Sequence, residues 1–175
     1  MKRLILLFWL VSLTFSLANG QLSDGGSWYK TPDDLIKDIY VLVSAKKGGD
    51  VNWQKVRSLF NDEAVVILRT SREKSTQFTA DGFIQDFKDF YENAEVKANG
   101  FGEKILSMKT MEYKDIAFVA TVYSAAITGS QRPPSRGVDL WLLGKKDGLW
   151  KITSIVNEVI PAGQELSSDF PEKEL

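Results

Sequence analysis

The chain has no histidine and no cysteine among its 175 residues. Without histidine it lacks the commonest general base and the commonest metal ligand. Without cysteine it has no thiol nucleophile, no thiolate metal site and no disulfide. A Ser-His-Asp triad is excluded, and no Gly-x-Ser-x-Gly, phosphate loop or calcium loop occurs. Gly100-Phe-Gly102 is half of a dinucleotide fingerprint and leads into a strand, so it carries no cofactor expectation. No metal and no cofactor is expected, and any catalysis falls to Asp, Glu, Tyr, Lys or Arg. No asparagine opens an Asn-x-Ser/Thr sequon.

Long apolar runs are also scarce, with one exception at the start. Lys2 and Arg3 precede an apolar stretch from Leu4 to Leu17, followed by Ala18-Asn19-Gly20-Gln21. Charged, apolar and small-residue regions in that order predict a secretory signal peptide over residues 1–20, with cleavage before Gln21. The run is shorter than the ~20 residues of a spanning helix, so no membrane association is expected after cleavage. The expected location is secreted or periplasmic. Removing the segment leaves 20 basic and 23 acidic residues, a net charge of −3. A mildly acidic domain lacks the basic footprint of a nucleic-acid binder. The remaining ~155 residues suffice for one core.

Residues 21–30 form a Gly/Ser-rich lead, expected to be flexible, that ends in Trp28 and Tyr29. Thr31-Pro32-Asp33-Asp34 reads as a helix start, with Thr31 as N-cap and Pro32 in the first turn. Leu35, Ile36, Ile39, Leu42 and Val43 recur at helical spacing, and the helix is expected to stop near Lys47, before Gly48-Gly49. A second helix is expected from Asp50, with Trp53, Val56, Leu59 and Phe60 on one face, ending at Asn61-Asp62-Glu63. Ala64–Leu68 reads as a short buried strand. Thr79 caps a third helix whose Phe83, Ile84, Phe87, Phe90, Tyr91 and Ala94 form a stripe suited to packing on a sheet.

After Asn99-Gly100 the period changes to two. Strands are expected near 102–112, 115–128, 136–144 and 149–160, the last pair joined through Asp147-Gly148, a hairpin signal. Helices first and strands later give an α+β class. Residues 162–175 read as a loose acidic tail.

This order resembles the cone fold of the nuclear transport factor 2-like (SnoaL-like) superfamily. Asp50-Val-Asn-Trp53-Gln-Lys-Val-Arg-Ser-Leu-Phe60-Asn-Asp-Glu-Ala64 is similar to the family's second helix and first strand. Asn99-Gly-Phe101-Gly-Glu103 is similar to the strand entry after the third helix. Arg136-Gly-Val-Asp139-Leu-Trp141-Leu-Leu with Asp147-Gly-Leu-Trp150-Lys-Ile152 is similar to the closing hairpin. The resemblance spans residues 31–161 and implies a cone-shaped fold, three N-terminal helices packed on a curved, mainly antiparallel sheet. Such folds host isomerases, cyclases, dehydratases, scaffold subunits and binding proteins, so the resemblance alone assigns no reaction.

The same resemblance implies a pocket between helices and sheet, lined by alternate strand residues. Candidates are Glu103, Tyr123, Asp139 and Trp141, with Arg136 at a strand entry and Arg69 at the end of the early strand. Strict alternation places Trp150, Ile152, Ser154, Val156 and Glu158 on one face, so Glu158 is expected to close the pocket mouth. Three readings follow: an exported domain binding a small apolar or amphipathic ligand, a carboxylate-driven isomerase or dehydratase, or a homodimer paired through the sheet face. Outward Leu140 and Leu142 carry the last.

Overall fold

The computed structural model describes residues 29–69, 74–167 and 170. The expected signal segment, its cleavage point, most of the lead and the end of the acidic tail lie outside the described residues. Among those described, no helix is long and apolar enough to cross a membrane.

Helix α1 spans Pro32–Leu42. The Thr31 side chain accepts from the Asp34 amide at 3.2 Å, the N-cap bond that the sequence predicts. Leu35, Ile36, Ile39 and Tyr40 are its buried face. It ends five residues before the expected stop. Ser44 Oγ donates to the Tyr40 carbonyl (2.7 Å) and accepts from the Glu103 amide (2.9 Å). That turns the chain into a two-residue strand β1, Ala45–Lys46, paired with the later β4. Close approach there depends on Gly100, at φ +86°, where a Cβ would stand 2.6 Å from the Ala45 carbonyl oxygen.

Helix α2 (Trp53–Ser58) starts from Asn52, whose side chain accepts from the Lys55 amide at 2.9 Å. Strand β2 runs over Phe60–Arg69 and is longer than expected, because Asn61-Asp62-Glu63 lies within it. Strand β3, Ser75–Thr79, was not expected. It is polar, alternates in exposure and hydrogen-bonds only to β2 within the sheet, so it carries no apolar signal. Thr79 caps α3 (Ala80–Tyr91) through the Gly82 amide at 3.1 Å. Asn93 then caps a separate helix, α4 (Ala94–Asn99), so the described chain has four helices where three were expected. Strands β4 (Gly100–Tyr113), β5 (Ile116–Ile127), β6 (Ser135–Lys146) and β7 (Leu149–Ile160) follow as an antiparallel meander.

The sheet order is β1-β4-β5-β6-β7-β2-β3. Every pair is antiparallel except β2 with β7, which is parallel. The β6–β7 turn is the Asp147-Gly148 pair, both at positive φ, as that hairpin type requires. Two register shifts matter for the site. In β4 an extra residue, Leu106, separates Ile105, opposite Tyr123, from Ser107, opposite Val122. In β7 the extra residue is Thr153, between Ile152 (opposite Leu143) and Ser154 (opposite Leu142). A bulge of one residue exchanges the two faces of the strand beyond it. The Thr153 hydroxyl is held by Asn61 Nδ2 at 3.0 Å.

One core joins helices and sheet. Leu35, Ile36, Leu59, Val66, Val119, Trp150 and Ile152 are essentially inaccessible. Trp150 anchors the start of the described chain: its indole donates to the Lys30 carbonyl (3.1 Å) and its amide to the Tyr29 carbonyl (3.1 Å). The α3 aromatic stripe packs as expected. Phe87 meets Trp53 edge-on at 6.0 Å, and Phe90 meets Phe101 at 5.0 Å. Edge-on pairs contribute about 0.5–1.5 kcal/mol each beyond the area they bury.

Candidate functional site

A cavity of about 160 Å³ opens between α1, α3 and the inner face of the sheet. Helix α1 contributes Ile39, Tyr40 and Val43, and α3 contributes Phe83 and Phe87. Val66 and Leu68 come from β2, Ile155 and Asn157 from β7, and Trp141 from β6. Three further polar side chains complete the lining: Glu103 of β4, Tyr123 of β5 and Asp139 of β6. The walls are therefore apolar and aromatic, and the polar groups come from adjacent strands, with the Tyr40 hydroxyl added from α1.

Register explains their convergence. Thr121, Asp139 and Asn157 stand side by side across β5, β6 and β7. Tyr123 is one inward position further along β5. Its cross-strand partner is Gly137, where a Cβ would overlap the phenol ring. The missing side chain at Gly137 lets the ring lie over the neighbouring strand.

The hydrogen bonds run in one direction. Trp141 Nε1 donates to Thr121 Oγ1 at 3.0 Å. Thr121 and the Tyr40 hydroxyl are 2.8 Å apart, and the Tyr40 hydroxyl donates to Asp139 Oδ2. Since Tyr40 has one hydrogen, Thr121 is the donor to Tyr40. From the other side, Asn157 Nδ2 donates to Asp139 Oδ1 at 2.8 Å and to the Tyr123 hydroxyl at 2.9 Å. Asn157 thus spends both amide hydrogens, and the Tyr123 hydroxyl keeps its own to offer the cavity. The relay from indole through hydroxyl to phenol ends on the Asp139 carboxylate, which the Asn157 amide meets from the other side.

Asp139 is buried, with 8% of its surface exposed. Burial raises its pKa from 3.8 to about 6, while the bonds from Tyr40 and Asn157 pull it down. Glu103 is half-buried. Burial first, and then the Asp139 charge, lift it from 4.5 to about 8. Burial and the neighbouring carboxylates also raise the Tyr40 and Tyr123 phenols, so both stay protonated at neutral pH. At pH 7 Asp139 is mainly ionised and Glu103 mainly protonated. Two carboxyls in one cavity thus hold opposite protonation states, the arrangement acid–base chemistry needs.

Of the residues singled out in the sequence, Glu103, Tyr123, Asp139 and Trp141 come together here. Arg69, Arg136 and Glu158 do not line the cavity. Arg69 and Glu158 face each other in the parallel β2–β7 pair and form an ion pair, Nε to Oε2 2.5 Å, with about half of the Glu158 side chain exposed. The Thr153 bulge is the cause: beyond it Ile155 and Asn157 face inward in place of Ser154, Val156 and Glu158. Arg136 is three residues from the inward Asp139 and so takes the opposite face. Sequence reading missed Tyr40 and Asn157. Tyr40 had a signal: a phenol on the buried face of α1 needs a partner for its hydroxyl. Asn157 had none without the bulge. Among the described residues no three His, Cys, Asp or Glu side chains are placed to hold a metal ion.

No protein-family model and no curated protein sequence matches the chain. Solved structures do resemble it. A nuclear transport factor 2-like protein of unknown function from Pseudomonas putida superposes with a TM-score of 0.60 at 10% identity, over 82% of this chain and 89% of that one. A protein of unknown function with a cystatin-like fold from Nostoc punctiforme gives 0.58 at 11% identity, over 74% and 89%. A candidate calcium/calmodulin-dependent protein kinase II association domain from Xanthomonas campestris gives 0.56 at 19% identity, over 74% and 86%. The fold is the nuclear transport factor 2-like cone fold. At these identities the likeness concerns the fold alone.

Proposed function

We propose that this chain is an exported domain that binds a small molecule in the cavity between α1, α3 and the sheet. The observation that carries the reading is the cavity's composition: aromatic and aliphatic walls with a few convergent polar groups. Its size supports a ligand of one ring, since an engineered apolar cavity of about 150 Å³ binds benzene. Titration with benzyl alcohol, followed by the amide and indole NMR signals, tests it. Saturable shifts at Val43, Leu68, Phe87 and Trp141 are expected; their absence, with no other single-ring probe bound, contradicts it. Export is tested by the mature protein's N-terminal residue, expected to be Gln21.

A second reading is proton transfer of the isomerase or dehydratase kind. The opposed protonation states of Asp139 and Glu103 favour it. Asp139 would take a proton from a substrate carbon, while Glu103 or Tyr123 would donate to its oxygen.

Pairing of two copies through the outer sheet face is compatible with either reading. Leu142, Ile116 and Met111 support it, each more than half exposed on neighbouring strands and bordering one shallow apolar groove.

A further inference from the structure

The cavity has an electrical asymmetry that its apolar walls do not explain. Two carboxyls line it, and among the described residues no lysine or arginine does. Asp139 is already bound by Tyr40 and Asn157. The Glu103 carboxyl receives no hydrogen bond from any described residue, although its backbone amide donates to Ser44 Oγ at 2.9 Å. We propose that the ligand is a small organic cation, a single ring bearing a primary or secondary ammonium group, seated with its N–H donors between Glu103 and Asp139. This rests on the small-molecule reading above and names the class of ligand.

Three features select a cation. First, the N–H groups would supply the donors that Glu103 lacks. Second, the aromatic rings of Tyr40, Phe87, Tyr123 and Trp141 line the same space, and the negative faces of such rings attract ammonium groups. Third, an anion would meet Asp139 with no positive side chain to offset the repulsion. A neutral ligand with an acceptor oxygen is the competing class, because protonated Glu103 could donate to it.

The two classes differ in their response to pH. The groups facing Glu103 are Asp139 from β6 and the phenols of Tyr40 (α1), Tyr91 (α3) and Tyr123 (β5). All three phenols are raised by burial and stay neutral up to pH 9, so Asp139 and Glu103 are the groups that titrate. A cation binds best when Glu103 is ionised and therefore displaces its proton. A neutral acceptor binds best when Glu103 keeps it.

The test is calorimetric titration of the purified protein with benzylammonium and with benzyl alcohol, its neutral isostere, from pH 6 to 8.5. Benzylammonium affinity is expected to rise about tenfold per pH unit between pH 6.5 and 7.5 and to level off above 8. About one proton should be released per ligand at pH 7. Glu103→Gln should flatten that dependence and weaken benzylammonium about tenfold or more at pH 8, while benzyl alcohol affinity changes little. Asp139→Asn should weaken benzylammonium at every pH. Benzyl alcohol binding as tightly as benzylammonium at pH 8, or benzylammonium binding without pH dependence, overturns the cation and leaves the pocket reading standing. Failure of both probes to bind overturns the two together.

Discussion

Tyr123 lies over Gly137, its partner on the neighbouring strand, so closely that a Cβ at Gly137 would overlap its ring. The fold spends a glycine inside a long strand, where it forfeits side-chain packing, and gains a phenol that Asn157 fixes at the cavity wall. Gly137→Ala is expected to push Tyr123 out of place and to destabilise the protein by about 1–3 kcal/mol. In a Tyr123→Ala background the same change should cost less than about 0.5 kcal/mol, because the clash is gone. Urea denaturation of the four proteins in this cycle checks the coupling.

Asp139 and Glu103 are expected to make stability fall as pH rises from about 4 to about 8. Both carboxyls have folded-state pKa values above their ordinary ones, 3.8 to about 6 and 4.5 to about 8. The folded protein therefore holds more protons than the unfolded chain across that interval. The contribution is fully present below about pH 4 and is lost as pH rises through 6 and then 8. Glu103→Gln should match the wild type near pH 4 and exceed it at pH 8.5, as read by the denaturation midpoint.

Tyr40 links helix α1 to the polar cluster. Tyr40→Phe removes a donor from Asp139 and leaves Thr121 without the acceptor it now uses. A loss of about 1–3 kcal/mol is expected, because buried polar groups are left unpaired. The Tyr40 bond lowers the Asp139 pKa, so its loss should move that value further above 6. Carboxyl carbon NMR titration of the variant measures the shift.

Leu142 tests pairing through the outer face. It is 52% exposed in a region that also presents Ile116 and Met111. If two copies meet there, Leu142→Glu should convert a dimeric mass to a monomeric one in light scattering, with thermal stability otherwise near that of the wild type. A wild-type protein that is already monomeric at micromolar concentration contradicts the pairing.

Much of this arrangement was legible where a signal repeats along an element. The buried face of α1, the α3 aromatic stripe and the four long strands each rest on several residues in phase. Between Thr121 and Gly137 the β5–β6 ladder has no register shift, so alternation alone brought Tyr123, Asp139 and Trp141 to one face. Thr153 broke that logic in β7. A single inserted residue kept Trp150 and Ile152 inward but exchanged Glu158 for Asn157. A bulge leaves little trace in composition, because it depends on the partner strands and on Asn61 bonding the Thr153 hydroxyl. Strand β3 was missed for a related reason: Ser75–Thr79 owes its place to pairing with β2, not to its own apolar pattern.

A ligand site beside Asp139 can be tested with the cavity open and with it filled. The most direct measurement is an NMR titration of the wild type and of Leu68→Trp, designed to fill the cavity, with benzyl alcohol and benzylammonium. Saturable shifts centred on Val43, Phe87 and Trp141 are expected in the wild type, and their loss in Leu68→Trp. Shifts that are absent, or that spread over the surface and persist when the cavity is filled, would contradict it.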